Sequence, residues 1–134
     1  MVINSNFETF IIGTRDDGKP FRVFLIDDSP AMTKILARLL GGFGMEVAGE
    51  CNESVKAIGK IALLEGHLDF ILLDITMPGL DGLGLLPDLI RACPTAKVLM
   101  CSAMGDMMQV KKAISLGAKH FIVKPFNKEK LFNV

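Results

Sequence analysis

The most polar residues of this chain stand at the ends of its most apolar runs. Residues 21–26 (FRVFLI) lead into Asp27-Asp28, 70–73 (FILL) into Asp74, 97–101 (KVLMC) into Ser102, and 120–123 (HFIV) into Lys124. Short runs rich in β-branched and aromatic side chains read as strands. Helix-patterned stretches separate them, and that alternation gives a parallel sheet with helices on both faces. In such a sheet the C-terminal strand ends lie along one edge, so residues remote in sequence meet in one crevice. The pattern restricts the chain to an α/β fold. It also gathers three carboxylates, a hydroxyl and an ammonium group.

The helices announce themselves by their starts and stops. Ser29-Pro30 supplies a capping hydroxyl and then a proline in the first turn, where its missing N–H costs nothing. Met32, Ile35, Leu36, Leu39 and Leu40 follow at helical spacing, and Gly41-Gly42 closes the helix. Residues 45–49 make a short second strand. Ser54 is predicted to cap a second helix carrying Val55, Ile58, Ala62 and Leu63, closed by Gly66. A third helix spans 83–91 with Pro87 inside it, where proline removes a backbone hydrogen bond and is predicted to kink the helix. Asp106 can cap a fourth, running through Met107, Val110 and Ile114 to Gly117, and Asn127 opens a last short helix. The segment 7–12 reads as an extra strand, followed by the turn signal Asp16-Asp17-Gly18. That second acidic pair precedes a strand and therefore belongs to the other edge of the sheet.

At 134 residues the chain forms one domain of ordinary size, with residues 1–20 an extension and 21–134 the folded unit. Fifteen basic and fifteen acidic residues balance, which argues against a wrapped nucleic acid or an anionic membrane as partner. No apolar stretch approaches the roughly 20 residues that span a bilayer, and the first residues lack the pattern of a signal peptide. Cys51, Cys93 and Cys101 are odd in number and set among apolar residues, as expected of buried thiols in a reducing cytoplasm. His67 and His120 have no Cys or His at ligand spacing, so a histidine-based metal site is not expected.

Singly, each polar strand end has an ordinary explanation. Asp27-Asp28 could be a solvated turn that helps cap the next helix, Asp74 a surface strand end, Ser102 a turn former, and Lys124 a solvated charge. Their joint placement is harder to explain that way. Mg²⁺ takes hard oxygen ligands and retains waters, so one or two direct carboxylates suffice. Phosphoryl transfer needs positioning and neutralisation of the phosphoryl oxygens, to which a lysine and a hydroxyl contribute. A carboxylate can itself be the nucleophile, and Asp74, in the central strand of the series, is the natural choice.

The stretches FLIDDS (24–29), LLDITMPGLDG (72–82), CSA (101–103) and FIVKPF (121–126) resemble the signatures of response-regulator receiver domains, in particular the stand-alone, CheY-like chemotaxis type. The resemblance runs from about residue 21 to the end. It implies a flavodoxin-like, doubly wound five-stranded sheet in the order 2-1-3-4-5, to which the extra N-terminal strand is added. It implies that Asp74 accepts a phosphoryl group from a histidine kinase, and that Asp28, Asp74 and the Thr76 main-chain carbonyl bind Mg²⁺ (or Mn²⁺) directly, with Asp27 acting through water. Ser102 and Lys124 would hold phosphoryl oxygens. Phe121 would follow Ser102 as an aromatic switch, and Thr76, Ala103 and Met104 would govern phosphate access and lifetime. The Lys124-Pro125 bond matches a position commonly cis in the family. Met104 departs from relatives that are polar there, and Pro87 is unusual in the third helix.

The expected function is a cytoplasmic phosphorylation switch that catalyses its own phosphorylation and dephosphorylation and is otherwise no enzyme. Its expected partners are the kinase, a target such as a flagellar motor switch protein, and an auxiliary phosphatase. One alternative is the receiver of a longer regulator. Another, a haloacid-dehalogenase-like phosphatase, would need an Asp-x-Asp pattern after the first strand, where the acids here are adjacent. The first strand has neighbours on both sides in the implied order. Segment 7–12 must therefore extend the edge of the second strand, pack on a face, or exchange into a dimer.

Overall fold

Alternating residues in each apolar run face opposite sides of one sheet, and both sides are covered. The sheet comprises β1 (Arg22–Ile26), β2 (Glu46–Cys51), β3 (Phe70–Asp74), β4 (Lys97–Ala103) and β5 (His120–Lys124). Its order is β2-β1-β3-β4-β5 and every pairing is parallel. The computed structural model describes residues 18–42, 44–64, 67–74, 82–103, 107–118 and 120–124. Among these residues no helix is long and apolar enough to cross a membrane. The expected strand at 7–12 and last helix at 127 lie outside the described residues.

One face collects Phe24, Ile26, Cys51, Ile71, Leu73, Val98 and Met100. Onto it pack α2 (Ala57–Ala62), α3 (Gly82–Ala92) and α4 (Met107–Ser115), contributing among others Ile61, Leu86, Leu89 and Ala113. The other face collects Val23, Leu25, Phe70, Leu72, Leu99 and Cys101 beneath Leu36 and Leu40 of α1 (Pro30–Gly42). β3 is buried along its whole length, as a strand covered on both faces must be. Each large apolar side chain so buried contributes about 1.5–3 kcal/mol, which makes the centre of the sheet a rigid support for the residues at its edge.

Several local readings are corrected. β2 continues past Gly49 to Cys51. The pairing with β1 shifts between Val23 and Phe24, and a Cβ on Gly49 would lie 3.0 Å from the Phe24 ring. The glycine marks a close approach inside the strand, where the sequence reading ended it. Ser54 does not cap a helix: it opens a 3-10 turn (Ser54–Lys56), is buried, and its hydroxyl has no hydrogen-bond partner. α2 starts only at Ala57 and buries Ala57 and Ile61, while Val55 and Leu63 face solvent. α1 ends at Gly42, as expected, and a left-handed residue follows at Gly44, at φ 85°. The third helix is present as expected, α3, with Pro87 inside it.

Candidate functional site

The strand register carries the polar strand ends to neighbouring rungs of one ladder. Ile26 pairs with Leu73 and Cys51, so the next rung sets Asp27 between Asp74 and Asn52. Asp74 pairs in turn with Cys101, and Cys101 with Ile122. Ser102 lies one residue farther, opposite Val123, and Lys124 lies opposite Ala103. This edge borders the point between β1 and β3 where the chain reverses its direction of winding, the usual position of a ligand crevice in such sheets.

Asp27, Asp28 and Asp74 each bring a carboxylate oxygen into a group whose members all lie within 4.8 Å of one another. Asp27 and Asp74 are buried and Asp28 is exposed, so the cluster opens to solvent on the Asp28 side. The turn that carries the pair is held locally. Ser29 N–H donates to Asp27 Oδ1 at 3.0 Å, and Ser29 Oγ accepts from Met32 N–H at 3.2 Å, capping α1 as expected. Three acids held this close repel one another and attract a cation. In an octahedral Mg²⁺ shell, ligand oxygens stand about 2.9 Å apart when adjacent and about 4.2 Å when opposite. The hard, anionic donor set and its spacing fit such an ion.

Of the other residues singled out from the sequence, Ser102, Ala103, Phe121 and Lys124 are placed by their main chain, in β4 and β5. Thr76, Met104 and the Lys124-Pro125 bond lie outside the described residues. Two contributors escaped the sequence reading. Asn52 donates from Nδ2 to the Asp27 carbonyl at 2.8 Å and approaches the buried Thr33 hydroxyl at 3.4 Å. A polar residue just past the end of β2 was the available signal, and it was obscured by ending that strand at Gly49.

The family model for the response regulator receiver domain matches residues 23–134. The chemotaxis protein CheY of Treponema pallidum is 37% identical over 119 residues, covering 89% of this chain and 83% of that protein. The Thermotoga maritima CheY is 40% identical over 105 residues, covering 78% and 86%. Among solved structures, a CheX–CheY–BeF3–Mg²⁺ complex from Borrelia burgdorferi contains a chain of the same fold. Its TM-score is 0.78 and its identity 34%, and the match covers 88% of each chain. The chain belongs to the response regulator receiver family, as a CheY-like member consistent with two-component signalling and chemotaxis.

Proposed function

We propose that this protein is a phosphorylation switch whose Asp74 takes a phosphoryl group from a histidine kinase, and that the modified form signals in chemotaxis to a flagellar motor switch protein. The observation that carries the reading is the convergence of Asp27, Asp28 and Asp74 within 4.8 Å at the C-terminal edge of a receiver-family sheet. The likeness to chemotaxis proteins supports the output. The Mg²⁺ named in the Borrelia complex supports the cofactor. Residues 1–20 we read as an extension to the receiver unit.

Asp28, Asp74 and the Thr76 main-chain carbonyl would hold Mg²⁺ or Mn²⁺ directly, and Asp27 through water. When bound, the cation supplies neutralisation of the charge on the phosphoryl oxygens. In the transfer a carboxylate oxygen of Asp74 forms the bond to phosphorus as the kinase histidine's N–P bond breaks, and the departing imidazole takes up a proton. The Ser102 hydroxyl and the Lys124 ammonium hold phosphoryl oxygens, small Ala103 leaves room for them, and Phe121 follows Ser102 inward. Hydrolysis needs a water in line with phosphorus. Met104 offers that water no hydrogen bond, so the phosphoryl group persists until an auxiliary phosphatase removes it.

Incubation with acetyl phosphate and Mg²⁺, followed by mass measurement, tests the reading. The wild type should gain one phosphoryl group, Asp74→Asn none, and Met104→Glu should lose the group faster than the wild type. Equal labelling of Asp74→Asn would remove the assignment.

A further inference from the structure

β2 holds Asp27 through both peptides that flank it, Ile26–Asp27 by its N–H and Asp27–Asp28 by its carbonyl. Asp27 N–H donates to the Cys51 carbonyl at 3.1 Å, and the Asp27 carbonyl accepts from the Asn52 side chain at 2.8 Å. The ladder between β1 and β2 thus runs one rung past its last backbone pair, with a side-chain amide in place of a main-chain N–H. The Thr33 hydroxyl donates to the Pro30 carbonyl at 2.9 Å, so toward Asn52 it can only accept. Both neighbours of the Asn52 amide therefore require its NH₂ group, which fixes the orientation of the side chain. Thr33 is fully buried in α1, the helix that begins directly after the acidic pair. Asn52 thereby ties three things together: the end of β2, the peptide joining the two acids, and the first turns of α1.

From this geometry we infer that Asn52 is a positioning residue for the acid site, setting the plane of the Asp27–Asp28 peptide and hence the aim of Asp28 into the cluster. The inference rests on the reading of that cluster as a cation site. It makes a prediction opposite in sign to simple electrostatics. Asn52→Asp is nearly isosteric and adds a negative charge close to the acids, which by charge alone would tighten Mg²⁺ binding. It also replaces the donor with a carboxylate oxygen facing the Asp27 carbonyl, which would turn the peptide away.

Mg²⁺ alone, titrated calorimetrically into the full chain, is the probe, with thermal melting of the metal-free protein alongside. Asn52→Ala and Asn52→Asp should each weaken Mg²⁺ binding about three- to tenfold, and Thr33→Val about twofold. Glu46→Ala, at the opposite end of β2, should leave it unchanged and serves as the control for a merely structural loss. Wild-type affinity in Asn52→Ala, or tighter binding in Asn52→Asp, overturns the inference. If an Asn52 variant does not fold, Thr33→Val decides by the same criterion. Asp28→Asn separates the two levels of the argument. If it lowers affinity while the Asn52 variants do not, only the positioning role falls. If it too binds as wild type, the cation site falls and the positioning role with it.

Discussion

At the C-terminal edge of the sheet, Asp27, Asp28 and Asp74 crowd three like charges within 4.8 Å. At the N-terminal edge, acidic side chains meet basic ones. Arg22 Nε meets Glu46 Oε2 at 2.8 Å, and His67 Nε2 meets Asp69 Oδ1 at 3.1 Å. The second Asp69 oxygen accepts from Arg22 N–H at 2.8 Å, and Arg22 also donates to the His67 carbonyl. The Asp69 main chain completes this edge by bonding to Arg22 and Lys97, which fastens β1 to β4 through the entrance to β3. One edge spends its polar groups on the fold. The other gathers carboxylates from neighbouring strand ends into one cluster, which supports its reading as a site.

Substitutions should therefore act in opposite directions at the two edges. The largest effect on folding is expected for Asp69→Ala, which leaves the Arg22 N–H without its acceptor. It should cost about 2–3 kcal/mol in urea unfolding while leaving Mg²⁺ affinity unchanged. Asp28→Asn should do the reverse, weakening Mg²⁺ about tenfold, equivalent to about 1.4 kcal/mol of binding. Its metal-free melting temperature should hold or rise, and a fall would break the contrast. Glu46→Ala removes a pair whose acid is half exposed, so it should cost less than about 1 kcal/mol, and less again in high salt. Smallest is the effect of Cys93, which lies in the turn that feeds β4. Burial raises its thiol pKa above the usual value, and a backbone hydrogen bond from Ala96 opposes that more weakly. A thiol that ionises more readily in the unfolded chain disfavours folding once pH passes the unfolded pKa. Stability should thus be unaffected at neutral pH and decline slightly in alkali. Iodoacetamide should modify Cys93 more slowly than a free thiol at pH 8, and a rate equal to glutathione's would contradict the burial.

Much of this contrast was legible in the residues. The apolar runs ending in Asp27-Asp28, Asp74, Ser102 and Lys124 gave the sheet and the edge where its polar strand ends meet, because strand burial and strand-end chemistry are both local signals. Ser29-Pro30 marked the start of α1 for the same reason. The N-terminal network was not legible: Arg22, Glu46, His67 and Asp69 meet only through the crossover from β1 to β3. Asn52 was missed because Gly49 reads as a terminator until the Phe24 ring is seen against it. Ser54 reads as a cap until its hydroxyl proves buried without a partner.

The register that seats Asp27 between Asn52 and Asp74 also limits how the gene can vary. Side chains along a strand alternate between faces, so a one-residue slip in β1 or β3 would send an acid to the opposite side of the sheet. It would do so while leaving an apolar run that still looks like a strand. Added or lost residues can therefore accumulate in the connections at either edge but not inside β1 or β3. On the proposed reading of the cluster as a cation site, Mg²⁺ titration of the refolded chain would also report the fraction of molecules whose strands have paired in register.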